Sequence, residues 1–358
     1  GGVNRNVIIN GAMNVAQRST EVTGAGDYGD ATKVGYLTCD RWTISGADTN
    51  TRYTISQDSS APSGTGLANS LKLACTTADT DDYASEEIVL TQKIEGQNVQ
   101  GFCKGTSDAK PFAVSFYVKA DSSATYVAEL FDADNTRHVC STFSVTTAWT
   151  RVEISFPADT TGAFGDDNGD SLLLNIWLQA GSNFTSGTLP STWASKTNAN
   201  RAVGISKFGS ATSDTFFLTG VQIEIGQNPT EFEHEPYDVT WHKCQRYFQH
   251  LDCSEAAYTK FINGQAIGSN QAAFCLQLRP HMRSIPTLTV TDVSDLAVAT
   301  SSGGASGITA LSLDGNSDTS HSVILDTGST TSGLTAGHAT MLVSENDTSP
   351  VVDLSAEL

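Results

Sequence analysis

A tryptophan flanked by amides is the feature of this sequence best suited to bind another molecule. In the run Leu172–Gln179 the even-numbered positions are all apolar, so an extended strand would place Trp177 on its other face with Asn175 and Gln179. An indole stacks on a sugar ring while amides hydrogen-bond its hydroxyls. Trp193, in a later loop, is predicted to complete the rim of this candidate glycan site. The alternative is that Trp177 packs against a second sheet, with the leucines facing a loop or a neighbouring subunit.

A second candidate site is an acidic turn. The run Asp166-Asp167-Asn168-Gly169-Asp170 offers hard oxygen ligands of the kind that Ca²⁺ accepts, but it lacks the bidentate glutamate of an EF-hand loop. An exposed acidic turn is therefore the favoured interpretation of Asp166, Asp167 and Asp170. We expect no metal and no other cofactor.

Motifs that would indicate catalysis are missing from the sequence. There is no G-x-S-x-G elbow, no H-E-x-x-H pair and no phosphate-binding loop. A glycosidase needs two carboxylates about 5–10 Å apart, but 39 acidic residues make any chosen pair uninformative. The sequence therefore predicts that this protein is not an enzyme.

Charge and composition limit the possible partners. The chain has 358 residues with 20 basic and 39 acidic side chains, a formal charge of −19, which disfavours nucleic acid and anionic membrane surfaces. We find no signal peptide and no apolar run of about 18 residues, so membrane insertion is not expected. The seven cysteines are scattered without a C-x-x-C pair, which favours free thiols over disulfides or a zinc site.

Alternation of apolar and polar residues predicts the fold class. Trp149, at the start of one predicted strand, is expected in the core. The strands predicted in the first two thirds are Ser70–Cys75, Glu87–Ile94, Phe112–Lys119, Thr125–Phe131, Trp149–Phe156, Leu172–Gln179 and Thr215–Ile225. Turn-rich stretches separate these strands, and helical patterns do not. The prediction is an all-β chain: a jelly-roll β-sandwich, a short helical connector and a smaller C-terminal β domain.

The domain boundaries follow from proline and from a shift in composition. Val239–Leu251 has near-helical apolar spacing after Pro236, and Ser301–Gly307 is predicted as a flexible loop. Residues 251–358 are predicted to contain strands at Ala272–Leu278, Pro286–Val290 and Gly337–Val343. The predicted division is an N-terminal segment packing on or leading into the jelly roll (1–38), the jelly roll (39–236), the connector (237–250) and the C-terminal β domain (251–358).

Seven short phrases, in order along nearly the whole chain, carry a family resemblance. They are Asn4–Arg18, Cys39-Asp40-Arg41-Trp42, Ile94–Asn98, Gly220–Gly226, Thr230–His234, Cys244–Phe248 with Met282–Thr287, and Leu354–Leu358. Together they resemble bacteriophage tail-fibre and head-fibre (capsid-fibre) proteins. The resemblance implies a carbohydrate-binding-type jelly roll, often presented as a trimer at the end or side of a virion fibre.

The resemblance also sets an expectation for function. It implies a structural virion protein, assembled in the host cytoplasm, that attaches the phage to the host surface through glycans. Expected partners are further copies of this chain in a homotrimer, other virion proteins, and a host glycan or envelope protein; residues 251–358 are expected to be distal and trimerising. The alternatives are a bacterial surface adhesin or carbohydrate-binding module and, second, a polysaccharide depolymerase.

Overall fold

The computed structural model describes residues 5–300, 305–330 and 333–358. It divides into two compact units, the first ending at Trp241 and including Leu358, the second running from His242 to Glu357. Strands dominate both units, so the predicted all-β class is confirmed. In the described part of the chain, no helix is long and apolar enough to cross a membrane.

The first unit contains thirteen strands and one complete α-helix within the described residues. They are β1 (Glu21–Ala25), β2 (Gly35–Tyr36), β3 (Thr43–Ala47), β4 (Arg52–Asp58), β5 (Ser70–Thr77), β6 (Glu87–Glu95), β7 (Phe112–Ala120), β8 (Ala124–Asp132), β9 (Arg137–Val145), β10 (Thr150–Phe156), β11 (Asp170–Ala180), α1 (Ser182–Thr185), β12 (Ala194–Ser195) and β13 (Thr215–Ile225). All the predicted strands of this region are present.

Two antiparallel sheets form the predicted jelly-roll sandwich. One has the order β1-β4-β5-β13-β7-β10 and the other β12-β9-β8-β11-β6-β3-β2. The apolar side of β7 (Phe112, Val114, Phe116 and Val118) is fully buried, as its alternation predicts. Burying each such side chain contributes about 1.5–3 kcal/mol. Trp149 was wrongly predicted as core: it is half-buried, edge-on to Phe217 at 6.0 Å.

The N-terminal segment packs on the sandwich. The Asn6 side chain donates to the carbonyl of Val221 (3.0 Å) and accepts from the amide of Ile223 (3.0 Å), while Met13 is completely buried. A Cβ on Gly11 would lie 2.1 Å from the Val221 oxygen, so only glycine permits this approach. The segment is therefore part of the fold of the first unit.

The second unit is smaller and also built from strands. A helix, α2 (Tyr237–Gln245), begins in the last residues of the first unit. The strands that follow are β14 (Phe248–Leu251), β15 (Lys260–Ala266), β16 (Ala272–Gln277), β17 (Thr287–Thr291), β18 (Leu296–Thr300), β19 (Ala305–Gly307), β20 (Leu311–Leu313), β21 (Ser322–Thr327), β22 (Ala339–Ser344) and β23 (Val351–Ser355). These strands form a sheet β14-β23-β17 and a sheet β19-β18-β22-β15-β16-β21-β20. The smaller C-terminal β domain and the short helix are confirmed.

Two local predictions in this region need correction. The predicted helix Val239–Leu251 ends at Gln245, because the backbone of Phe248–Leu251 pairs with β23 as an antiparallel strand. Of the predicted loop Ser301–Gly307, residues 301–304 lie outside the described residues, and Ala305–Gly307 is a strand. All seven cysteines are free thiols, as predicted.

Candidate functional site

A depression of about 320 Å³ lies on the outer face of the sheet β12-β9-β8-β11-β6-β3-β2 of the first unit. Its floor is made by odd-numbered residues of β3, β6, β8 and β11, because the even-numbered residues of β6, β8 and β11 supply most of the core face. The register aligns Thr91 with Asn175, and Asn175 with Glu129, across three neighbouring strands. We call this feature the sheet-face depression; its lining residues are Thr43, Ser45, Glu87, Val89, Thr91, Lys93, Phe131, Leu173, Asn175, Trp177, Lys196 and Arg201.

Trp177 lies on the outer face, as predicted, but its ring is covered. Its exposed fraction is only 1%, and it packs with Val127, Ala202 and the ring of Phe184 at a centroid distance of 5.2 Å. The connection between β11 and β13 folds back over this part of the sheet and supplies Phe184 and Ala202. Trp177 therefore lines the depression from beneath and does not present a free stacking platform.

The two predicted amides are also engaged within the protein. The Asn175 side chain accepts from the Thr91 hydroxyl (2.7 Å) and donates to Glu129 (2.9 Å). Gln179 is fully buried, donates to Glu86 (3.0 Å), and does not line the depression. Their hydrogen bonds fix the sheet face and are not directed at a ligand.

Trp193 lies apart from Trp177, in the main core of the sandwich. It is 8% exposed, its ring is 5.5 Å from that of Phe112, and its Nε1 donates to the Pro157 carbonyl (2.9 Å). A segment next to the edge strand β12 turns it inwards, which its loop position in the sequence did not indicate. The structure therefore does not bring Trp193 to the rim with Trp177.

Glu129 is the centre of the polar network under the depression. It is fully buried, and its two oxygens accept five hydrogen bonds: one each from His138, Asn175 and Trp177, and two from Arg201. Burial alone would raise the pKa of this carboxyl, but the hydrogen bonds from His138 and Arg201 outweigh it and hold the pKa at about 2. Glu129 is a structural anion with no oxygen left for a ligand.

A metal site at this carboxylate is disfavoured by charge and direction. Within the described ranges, Glu129, His138 and Cys140 form the only group of three His, Cys, Asp or Glu side chains whose possible ligand atoms all lie within 4.8 Å of one another. Both Glu129 oxygens already face the Arg201 guanidinium, which repels a cation. His138 Nε2 has no hydrogen-bond partner among the described residues, but Glu129 and the Cys140 sulfur lie on the Nδ1 side of the ring. The three groups are better explained as one hydrogen-bonded network.

Two carboxylates of the acidic turn have contacts within the chain. Asp166 and Asp167 are exposed, and Asp167 accepts from the backbone amide of Gly169 (2.8 Å), a normal turn contact. Asp170 is 3.7 Å from the Lys93 ammonium. In the described part of the chain, these carboxylates do not belong to a group of three whose ligand atoms all lie within 4.8 Å of one another.

The partly exposed groups of the sheet-face depression were not singled out from the sequence. Phe131 is half-buried, and the Lys196 ammonium and Arg201 guanidinium lie 5.7 and 5.6 Å from its ring centre. No carboxylate of the described residues lies within 4 Å of the Lys196 Nζ. Alternation in Glu87–Glu95 could have placed Lys93 on this face, whereas Lys196 and Arg201 come from an irregular connection that gives no signal.

Glu87 is the acidic member of the depression. Burial raises the pKa of its carboxyl, Arg201 opposes this, and Glu129 adds to it. Phe131, hydroxyl groups and three cations thus surround one carboxylate with raised pKa. Such a surface can hold a polar ligand with an apolar face, as sugars have, through stacking, hydrogen bonds and charge.

Comparisons with known proteins found distant structural likeness. No protein-family model and no curated protein matches the sequence. The enzymatically active domain of bacteriophage CBA120 tailspike protein 4 is 11% identical over 62% of this chain and 22% of its own, with a TM-score of 0.31. A family 11 carbohydrate-binding module from Clostridium thermocellum, solved with a β-1,3-1,4-mixed-linked tetrasaccharide, is 12% identical over 60% and 98%, with a TM-score of 0.28. A family 61 carbohydrate-binding module solved with β-1,4-galactotriose is 10% identical over 62% of this chain and 100% of its own, with a TM-score of 0.32. Likeness at this level says nothing about what this chain binds.

Proposed function

We propose that this chain is a structural, non-enzymatic fibre subunit of a bacteriophage virion that attaches to glycans on the host surface. The observation that carries the proposal is the sheet-face depression, with Phe131 and three cations on a rigid, hydrogen-bonded strand floor. The ordered series of fibre-like phrases supports the viral role. Each site has modest affinity, and several copies on one fibre raise the effective concentration at a repetitive surface.

The locked state of Glu129 supports binding without catalysis. A glycosidase carboxylate must reach the substrate as acid, base or nucleophile. Glu129 is fully buried, and hydrogen bonds occupy both of its oxygens, so Glu87 is the one carboxylate on the lining of the depression. A single carboxylate on the lining of this depression favours a receptor site over a depolymerase site.

Filling the depression tests the binding site. Ser45 is exposed on its floor, so Ser45→Trp adds bulk there without removing a contact and should change the free energy of unfolding by less than about 1 kcal/mol. We expect at least tenfold weaker binding on a microarray of bacterial capsular and lipopolysaccharide glycans. The matched control is Ser155→Trp, an exposed strand serine on the other sheet, which should bind as the unaltered protein does.

Three results would overturn this proposal. Equal glycan binding by Ser45→Trp and Ser155→Trp would show that the sheet-face depression is not the glycan site. An unaltered protein that binds no glycan on the array would remove glycan attachment altogether. New reducing ends released from any bound polysaccharide would replace the receptor by a depolymerase.

A further inference from the structure

A second depression lies at one end of the sandwich. Three connections form it: the one after β1 (Asp27–Gly29), the one between β3 and β4 (from Asp48), and the one between β5 and β6 (Tyr83 and Ser85). Its volume is about 470 Å³, within the range of small-molecule sites, and it shares no lining residue with the sheet-face depression. We call it the loop-end depression.

Tyr83 presents an aromatic ring at this depression from a braced loop. Its exposed fraction is 44%, and its hydroxyl donates to the Asp81 carboxylate at 3.1 Å. The backbone behind it is held by the Glu86 amide, which donates to the Tyr83 carbonyl (3.2 Å), and by the tight approach of Gly181, whose Cβ would lie 2.0 Å from that carbonyl oxygen. A fixed exposed ring loses little entropy on stacking.

The polar groups around Tyr83 match a ligand with hydroxyls and no negative charge. Asp48 and Asn50 are exposed, and the Arg52 guanidinium is 3.5 Å from Asp27, which neutralises that carboxylate. The lining therefore keeps one excess negative charge, at Asp48, and the neighbouring Asp81 adds another. Carboxylates accept hydrogen bonds from sugar hydroxyls but repel acidic sugars.

The two depressions follow one another along the same two strands. Ser45 and Asp48 are three residues apart at the end of β3, and Ser85 and Glu87 are two residues apart at the start of β6. At about 3.3 Å per residue, an extended backbone advances roughly 7–10 Å between these lining positions. One oligosaccharide could therefore contact both.

We propose that the loop-end depression is a second saccharide subsite, which takes an uncharged sugar unit on Tyr83 and lengthens the glycan held at the sheet face. The proposal rests on the proposed function. It assigns to Tyr83 the stacking contact that the buried Trp177 does not make. A glycan long enough to reach both depressions gains affinity from the second contact.

Glycans of graded chain length test the subsite. On a microarray of neutral and acidic bacterial oligosaccharides, Tyr83→Ala should lose roughly tenfold in affinity for long glycans with a neutral end, the loss of one stacked contact. Affinity for short glycans should be unchanged, because these occupy the sheet face alone. The control Tyr237→Ala removes another exposed tyrosine, 56% accessible and absent from both depressions, and should bind as the unaltered protein.

The outcomes separate the subsite from the proposed function. Equal binding of long glycans by Tyr83→Ala and Tyr237→Ala would overturn the subsite while leaving the Ser45→Trp result, and attachment, intact. A loss for short and long glycans alike would also overturn it, because Tyr83 would then belong to the first site. No glycan binding by the unaltered protein would overturn both.

Discussion

At the scale of single residues, one buried carboxylate organises the outer face of the larger sheet. Glu129 joins β8 to β9 through His138, to β11 through Asn175 and Trp177, and to the following connection through Arg201. A buried charge is tolerated only when its hydrogen-bonding capacity is filled, and removal of one partner exposes the full cost of burying the other. The shape of the sheet-face depression therefore depends on the ionised form of Glu129.

The free energy of unfolding should depend on pH through the ionisation of Glu129. The pKa of Glu129 is about 2 in the folded protein against an ordinary 4.5, so its ionisation stabilises the fold above pH 4.5, and this contribution disappears as the pH falls towards 2. Glu129→Gln should lower the free energy of unfolding by roughly 3 kcal/mol at neutral pH. The gap between the two proteins should close in acid, as measured by urea unfolding at several pH values.

An exposed ion pair provides the control for this measurement. Glu153 pairs with Arg151 and is half exposed, so Glu153→Gln should change the unfolding free energy by less than about 0.5 kcal/mol at every pH. A gap for Glu129→Gln that stays constant from neutral to acidic pH would show that the side-chain shape, and not the charge, is what the network needs.

At the scale of elements, the connection after β11 determines what the outer face offers to a ligand. Its residues Phe184 and Ala202 cover Trp177, while Lys196 and Arg201 from the same connection reach the sheet-face depression. A long connection that folds back over a sheet buries part of the strand surface that would otherwise be open. The candidate site is thus the uncovered remainder of the sheet face.

Trp177→Ala distinguishes a covered ring from an open one. Because the ring is 1% exposed and packed on both sides, its removal should leave a cavity and cost about 3–5 kcal/mol of unfolding free energy. The matched substitution Trp149→Ala, at a half-buried ring on the other sheet, should cost only roughly 1–2 kcal/mol. Denaturant unfolding of both variants checks this, and a cost below 1 kcal/mol for Trp177→Ala would mean that the connection does not cover the ring in solution.

The strands were predictable from the sequence, but the cover was not. Alternation is a local property, so Leu172–Gln179 indicated both the strand and the face on which Trp177 lies. Whether that face is open depends on contacts between distant residues: Arg201 meets Glu129 across 72 positions, and Gln179 meets Thr49 across 130. Such contacts leave no periodic signal. The sequence therefore indicates the buried Trp177 and does not indicate the partly exposed ring of Phe131 or the ammonium of Lys196.

At the scale of the whole molecule, the second unit exposes several large apolar side chains. Its core is much smaller than that of the first unit. Among its described residues, Tyr258, Ile267 and Ile285 each leave more than half of a large apolar side chain in water. We expect a homotrimer to bury these side chains between subunits.

The prediction at this scale is a homotrimer formed through the second unit. Light scattering should give three times the chain mass of 37.8 kDa, retained after mild heating. Ile267→Asp combined with Ile285→Asp should reduce that mass to the monomer, because a buried unpaired carboxylate costs several kcal/mol at each copy of the interface. Ile225→Asp, at an isoleucine of the first unit that is 48% exposed, should leave the trimer intact. A monomer in the unaltered protein would contradict the fibre and favour an isolated binding module, since the trimer supplies the multivalent contact on which weak single sites depend.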